Sequence, residues 1–378
     1  MSLRIRQVAP QIGPGSGVGG VAYALEQEFA ARGVATERFT LRECGGSWLP
    51  DALPGPLRYA AVAARVIWFS TVGTARLRRI IRDDPSDTVT ITHNDALAGD
   101  IYVNHGLLTA AMRARGDFRR RMLRNPLHVV THLRDRHRYG STVIHRRIVN
   151  LCSTEDRLLR AEFPRLAVPT TVIGNGVDLQ HFRPATAARR SAIRAELGVP
   201  ADAFVVLFVG HEHGRKGLRP LLRALTELPA DVRLLVVGGS RQERAASRAA
   251  AREASVLDRC MFQPAVDDPA PFFAAADVLA QPSAYESWGL VVTEALASGL
   301  PVVATPVGAA AELVRDGRTG ALSTDQPSAI AAAITTVRNL PVAQTRSAAR
   351  ESAQSLGWGA VAADYLRLAR EVAGERAR

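Results

Sequence analysis

Lysine is almost missing from this chain: Lys216 stands alone among 48 basic residues, the rest being arginine. Cysteine is scarce too, with only Cys44, Cys152 and Cys260, widely spaced and odd in number. No Cys-x-x-Cys pair occurs, so neither a disulfide frame nor a zinc knuckle is implied, and a reducing compartment fits best. No apolar run reaches the roughly 18 to 20 residues of a membrane span. The nearest, from Tyr59 to Gly73, is broken by Arg65. Aromatics make up 6% of the residues. They do not interleave with the basic residues as in an RNA-binding motif, and no zinc finger or basic zipper is present, so nucleic acid is not the expected partner.

What is present is charge of one sign. The net charge is +12, and the stretch from Met112 to Arg147 holds eleven arginines against Asp117 and Asp135. Such a block is either a solvated face of an arginine-rich protein or an attractor of anions. The expected anions are an anionic acceptor or an anionic membrane surface met through residues 112–147.

A chain of 378 residues is too long for one ordinary core and suits two domains. Short apolar runs alternate with longer helical patterns, the rhythm of an α/β chain with parallel sheets. Strands are expected at Ile5–Ala9, Ala35–Leu41, Thr88–Thr92, Asp100–Asn104, Arg147–Cys152 and Thr170–Ile173. The first of these reads as an opening strand, with no signal segment before it. The rhythm restarts near residue 200, with Phe204–Val209, Arg233–Val237, Cys260–Gln263, Val278–Gln281 and Pro301–Thr305. The expected organisation is a domain over 1–174, a second over 175–356, and a helix over 357–378 that packs back on the first. Each sheet would carry its ligand loops at the carboxyl ends of its strands.

Two loops carry candidate chemistry. Gly13-Pro14-Gly15-Ser16-Gly17-Val18-Gly19-Gly20 follows the first strand and opens a helix. Glycines let backbone N–H groups approach an anion, and the helix N-terminus adds positive potential. Gly15, Gly17 and Gly20 spell a dinucleotide fingerprint, but five residues separate the strand from Gly15 where the fingerprint allows almost none. A phosphate or acceptor contact suits this loop better than a nicotinamide cofactor.

In the second half, Glu286 lies in the loop after Val278–Gln281, and a helix is expected from about Gly289 to Gly299, with Glu294 inside it. The N–H groups of Gly289, Leu290 and Val291 would face a diphosphate. Glu286 and Glu294 either accept from sugar and ribose hydroxyls or merely cap and solvate the helix; spacing alone leaves both open. The loop Gly210-His211-Glu212-His213-Gly214-Arg215-Lys216-Gly217 brings two cations to another strand end, where they would neutralise a leaving diphosphate. His211 and His213 lack the further ligands a metal site needs, so no metal is expected.

These residues resemble the retaining family 4 glycosyltransferases of GT-B architecture. The resemblance runs over nearly the whole chain. It is most specific in Glu286-x₇-Glu294, followed without a gap to Gly308, and in Arg215-Lys216-Gly217, Asn175-Gly176-Val177-Asp178 and Val103-Asn104-His105-Gly106. The resemblance implies two Rossmann-like domains facing a central cleft. It implies Glu286 on donor-sugar hydroxyls, Glu294 on the ribose, and Arg215 and Lys216 on the diphosphate. Gly210, Gly289, Leu290 and Val291 would line the donor, Gly19 and Gly20 would lie near its phosphate, and His105 would sit beside its sugar. It further implies hexose transfer with retention and without metal or other cofactor, from a UDP-glucose-type donor first and GDP-mannose second. The acceptor would be a glycan or a lipid-linked envelope glycan, and the enzyme cytoplasmic or peripheral on the inner membrane face. His211 stands where most members have arginine, as in the subgroup resembling lipopolysaccharide-core glucosyltransferases. Ala309 replaces a usual glycine, which would narrow the loop near the donor. A non-catalytic glycan-binding subunit and a sugar-nucleotide 2-epimerase are the alternatives.

Overall fold

The structure is a computed structural model. It describes every residue except 1, 2, 16, 51, 52, 54–56, 117, 119, 121, 123, 124, 141 and 142. Ser16 of the glycine loop and Asp117, Arg119, Arg121 and Arg124 of the arginine block therefore lie outside the described residues. The chain divides into two units, Met1–Gly176 with Trp358–Arg378, and Val177–Gly357.

The first unit is built on a six-stranded parallel sheet. Its strands are β1 (Arg4–Val8), β2 (Ala35–Phe39), β3 (Thr88–His93), β4 (Ile101–Asn104), β5 (Arg147–Asn150) and β6 (Thr170–Val172). Their order is β2-β1-β3-β4-β5-β6, so the chain reverses direction across the sheet between β1 and β3. β3 and β4 are buried at every position, as befits strands covered on both faces. The apolar run around Tyr59–Gly73 is a helix, Leu57–Trp68, that continues through a π turn at Phe69–Gly73 into a second helix, Thr74–Asp83. The helix Trp358–Ala377 packs against Val18–Ala31 and buries Val361, Tyr365, Leu366, Leu368 and Val372. Arg32 Nη2 donates to the Gly359 carbonyl at 2.8 Å, and Arg376 reaches Asp100 at 3.3 Å.

The second unit repeats the plan. Its strands are β7 (Phe204–Val209), β8 (Val232–Val237), β9 (Cys260–Gln263), β10 (Val278–Gln281), β11 (Val302–Ala304) and β12 (Gly320–Leu322). The order is β12-β11-β10-β7-β8-β9, with the reversal between β7 and β10. Alternate residues of β7 supply two cores: Val205 and Leu207 join Leu296 and Phe273, whereas Val206 and Phe208 join Leu221 and Ile334. That is why β7 reads as an unbroken apolar run rather than an alternating one.

The arginine block is less free than its sequence suggests. Among its described members, Arg113 pairs with Glu162, Arg134 with Asp95 and Asp135, Arg138 with Asp135, Arg146 with Asp100 and Arg147 with Glu375. Arg138 is wholly buried, lies 3.9 Å from the Tyr102 ring centroid, and donates to the Asn94 and Ala96 carbonyls. These pairs tie the first unit together, while Arg113, Arg120, Arg136 and Arg146 remain exposed.

Candidate donor site

In an open parallel sheet, ligands bind beyond the strand carboxyl ends where the chain reverses across the sheet. In the second unit that point lies between β7 and β10. The loop after β7 carries Arg215 and Lys216, and the loop after β10 carries Glu286.

The structure brings these three side chains together. Lys216 Nζ donates to Glu286 Oε1 at 3.0 Å, and Arg215 Nη1 lies 3.4 Å from Glu286 Oε2. Ser283 Oγ donates to the same Oε1 at 3.0 Å. Arg215 is itself held by Glu212, at 2.7 Å, and by the Tyr285 carbonyl. Burial pushes the Glu286 carboxyl up, but Lys216 and Arg215, helped by hydrogen bonds from Lys216 and Ser283, hold it below its usual range. The cluster is an ionised carboxylate between two cations.

Glu286 does not cap the helix. The N-cap of Leu290–Ala297 is Gly289, in the left-handed region at φ 87°, with no side-chain cap. A side chain there would be strained, so a glycine makes the turn that aims the first N–H groups outward. The N–H groups of Leu290 and Val291 have no partner within the helix and, among the described residues, none outside it, so they can meet an anion.

Glu294 sits one turn further along, partly buried. Among the described residues its carboxylate takes no hydrogen bond or ion pair. Burial raises its pKa to about 7, more than Lys216 and His181 lower it. A partly buried carboxyl without a partner is costly unless a ligand supplies donors.

Other expected residues have different surroundings. Gly210 opens the loop after β7, beside the Lys216 stem. His213 is buried, 2.8 Å from Ser247 Oγ, and packs edge-on to Phe208, whereas His211 is exposed. The two histidines are thus a core residue and a surface residue. Ala309 is fully buried and its N–H donates to the Trp288 carbonyl at 2.6 Å. Its methyl is packed away from solvent.

In the first unit, Gly19 and Gly20 fold the glycine loop onto itself. A Cβ on Gly20 would fall 1.8 Å from the Gly15 carbonyl oxygen, and one on Gly19 would fall 2.7 Å from that of Gln11. Both glycines therefore have a packing reason to be there. The loop borders a cavity of about 870 Å³ whose lining includes Pro10, Gly19, Gly20, Arg38, Arg42, Arg65 and Asn94. His105, just past β4, lies with Nε2 2.9 Å from His93 Nδ1. Burial lowers its pKa to about 4, so the ring is neutral.

Ser283, Glu212, Gln7 and His93 escaped sequence reading. Ser283 follows Pro282 at a strand end and looks like a simple terminator; Gln7 and His93 look like ordinary strand residues.

The chain is similar to known glycosyltransferases. A D-inositol 3-phosphate glycosyltransferase of Xylanimonas cellulosilytica is 41% identical over 174 residues, 44% of this chain and 41% of that protein. The matches to these curated relatives span from 32% to 53% of those proteins' lengths. Sucrose-phosphate synthase from Thermosynechococcus elongatus superposes with a TM-score of 0.76 at 23% identity, covering 98% of this chain and 99% of that one. WaaG, a glycosyltransferase involved in lipopolysaccharide biosynthesis, gives 0.73 at 18% identity, over 96% and 99%. The fold is therefore that of the GT-B glycosyltransferases. The segment that carries the Arg215–Lys216–Glu286 cluster, residues 203–339, matches the family model described as Glycosyl transferases group 1.

Proposed function

We propose that this chain is a retaining glycosyltransferase that moves a hexose from a nucleotide diphosphate sugar to an acceptor hydroxyl. The observation that carries the reading is the cluster of Lys216, Arg215 and Glu286 where the second sheet reverses, beside a helix N-terminus with free N–H groups. Sugar transfer builds negative charge on the departing diphosphate. Two fixed cations and oriented N–H groups stabilise that charge without reorganising. Glu286, held ionised, accepts from hydroxyls of the donor sugar; Glu294 accepts from the ribose. The departing phosphate oxygen takes the acceptor's proton on the same face, which gives retention and calls for no metal.

The donor assigned first is a UDP-glucose type, with GDP-mannose second. Gly19, Gly20 and His105 are assigned to the donor phosphate and sugar by the family resemblance. The acceptor is assigned to the cavity of the first unit, where Arg38, Arg42 and Arg65 outnumber Glu43, although Arg38 is bonded to Glu26, and favour an anionic molecule. The relative named for D-inositol 3-phosphate supports a phosphate-bearing acceptor. A lipid-linked or anionic envelope glycan meets the same requirement, and docking at the inner membrane face through residues 112–147 belongs to that version.

A thermal-shift panel of UDP, GDP and ADP sugars tests the donor, followed by transfer or hydrolysis of the best binder. Stabilisation by one nucleotide series and release of that nucleoside diphosphate is the expected result. No shift with any of them overturns the assignment. Equal flotation with neutral and anionic vesicles removes the membrane version.

A further inference from the structure

Adjacent strands of the first sheet end in a line of polar side chains that the donor cluster does not explain. Gln7 lies in β1, His93 ends β3, and His105 follows β4. β3 pairs with β1 on one side and β4 on the other, which sets the three side chains in a row. His93 Nε2 is 2.7 Å from Gln7 Oε1, and His93 Nδ1 is 2.9 Å from His105 Nε2. The two rings are tilted by 31° with centroids 5.2 Å apart. Gln7 and His93 have no exposed surface.

The positions of the protons follow from what each group can do. An amide oxygen only accepts, so His93 carries its proton on Nε2. Burial first, and His105 second, hold the His93 pKa well below its usual range. The His93 ring is therefore neutral and its Nδ1 is bare. A bare nitrogen accepts, so His105 donates from Nε2. His105 is neutral as well, which leaves its Nδ1 bare. Among the described residues nothing hydrogen-bonds that nitrogen, and the residue is only partly buried.

We infer that Gln7 and His93 are positioning residues that fix His105 in its Nε2–H form, so that Nδ1 presents an acceptor to a sugar hydroxyl. The identity of that hydroxyl rests on the proposed function; the proton arrangement does not. In the opposite form, with the proton on Nδ1, His105 would meet the same ligand as a donor. Nothing in His105 itself selects between the two forms. The amide two strands away does, because its oxygen faces the line.

The test uses the full chain labelled with ¹⁵N at its nine histidines, the two rings being assigned by single substitution. At neutral pH both His93 and His105 should be neutral Nε2–H tautomers. A ¹⁵N–¹⁵N coupling should cross the hydrogen bond from His105 Nε2 to His93 Nδ1. Gln7→Leu keeps the bulk and removes the acceptor; the coupling should weaken and both rings should average between tautomers. With the best nucleotide sugar, kcat of that variant should fall about ten-fold with little change in donor KM, the size of one neutral hydrogen bond. A proton on His105 Nδ1 in the unaltered chain overturns the inference. So does an unchanged coupling, or an unchanged kcat, in Gln7→Leu. If the couplings appear but no nucleotide sugar is turned over, the proton arrangement stands and the proposed function falls.

Discussion

Replacing Glu294 by glutamine keeps the side chain's volume and removes its charge. In the donor-free protein burial raises this carboxyl from 4.5 to about 7. The displacement corresponds to about 3 kcal/mol between the two protonation states. A ribose supplies two hydroxyl donors, which favour the ionised form, so donor binding should pull the pKa back down and release a proton. The bare site must first ionise when the pH is below 7. Affinity for the donor should therefore be flat above about pH 7 and weaken by up to about ten-fold per pH unit below it. Calorimetry with an intact nucleotide sugar measures this cleanly, because its diphosphate does not titrate in that range. At pH 7, titrations in buffers of different ionisation heat should show release of about half a proton. Glu294→Gln should bind more weakly at pH 8 and show neither the slope nor the proton. Stability should move the other way. A raised carboxyl pKa means the folded chain holds a proton that the unfolded chain has lost, so this contribution is full below about pH 4.5 and lost as pH rises through about 7. At pH 8 the glutamine variant should unfold at higher denaturant, by up to about 3 kcal/mol. An affinity independent of pH from 5.5 to 8, or a slope that survives in Glu294→Gln, would refute the ribose role and the ionisation argument together.

Lys216→Ala leaves the Glu286 carboxylate with Arg215 and Ser283 as its remaining partners. It should cost about 1–3 kcal/mol in urea unfolding and raise the Glu286 pKa, as well as weakening nucleotide binding. Gly20→Ala forces a methyl group onto the Gly15 carbonyl. It should destabilise the first unit by about 1–3 kcal/mol, readable as lost hydrogen-exchange protection in β1 and in Val18–Ala31 but not in β7. Arg42→Ala should raise the acceptor KM several-fold while leaving donor affinity unchanged; equal effects on both would remove the cavity as the acceptor's place.

Much of the frame was legible because parallel strands buried on both faces read as plain apolar runs. Phe204–Val209 and Val278–Gln281 were placed to the residue for that reason. β12 was not, since Gly320–Leu322 offers three residues led by glycine and no pattern to detect. The π turn at Phe69–Gly73 was equally hidden, because it continues helical periodicity with one extra residue per turn. In the site, Glu286, Arg215 and Lys216 were expected at strand ends around one ligand, but the direct bond from Lys216 to Glu286 was not. The hydroxyl of Ser283 was not, because nothing in a serine's sequence position says which carboxylate it will turn toward. The arginine block is ambiguous in sequence for a physical reason. Guanidinium groups serve as well for tying carbonyls and carboxylates inside a unit as for meeting an outside anion, and sequence records only their charge.

The first unit is assembled from two stretches of chain, Met1–Gly176 and Trp358–Arg378, with the whole second unit between them. On the ribosome, the surface of Val18–Ala31 that receives Trp358–Ala377 has to wait, open, while all of Val177–Gly357 is made. At roughly 5–20 residues per second that delay is on the order of ten seconds or more. The second unit, contiguous in sequence, has no such wait and can complete its core first. A released chain truncated after Gly357 should carry a protease-resistant second unit joined to a first unit that chaperones still recognise.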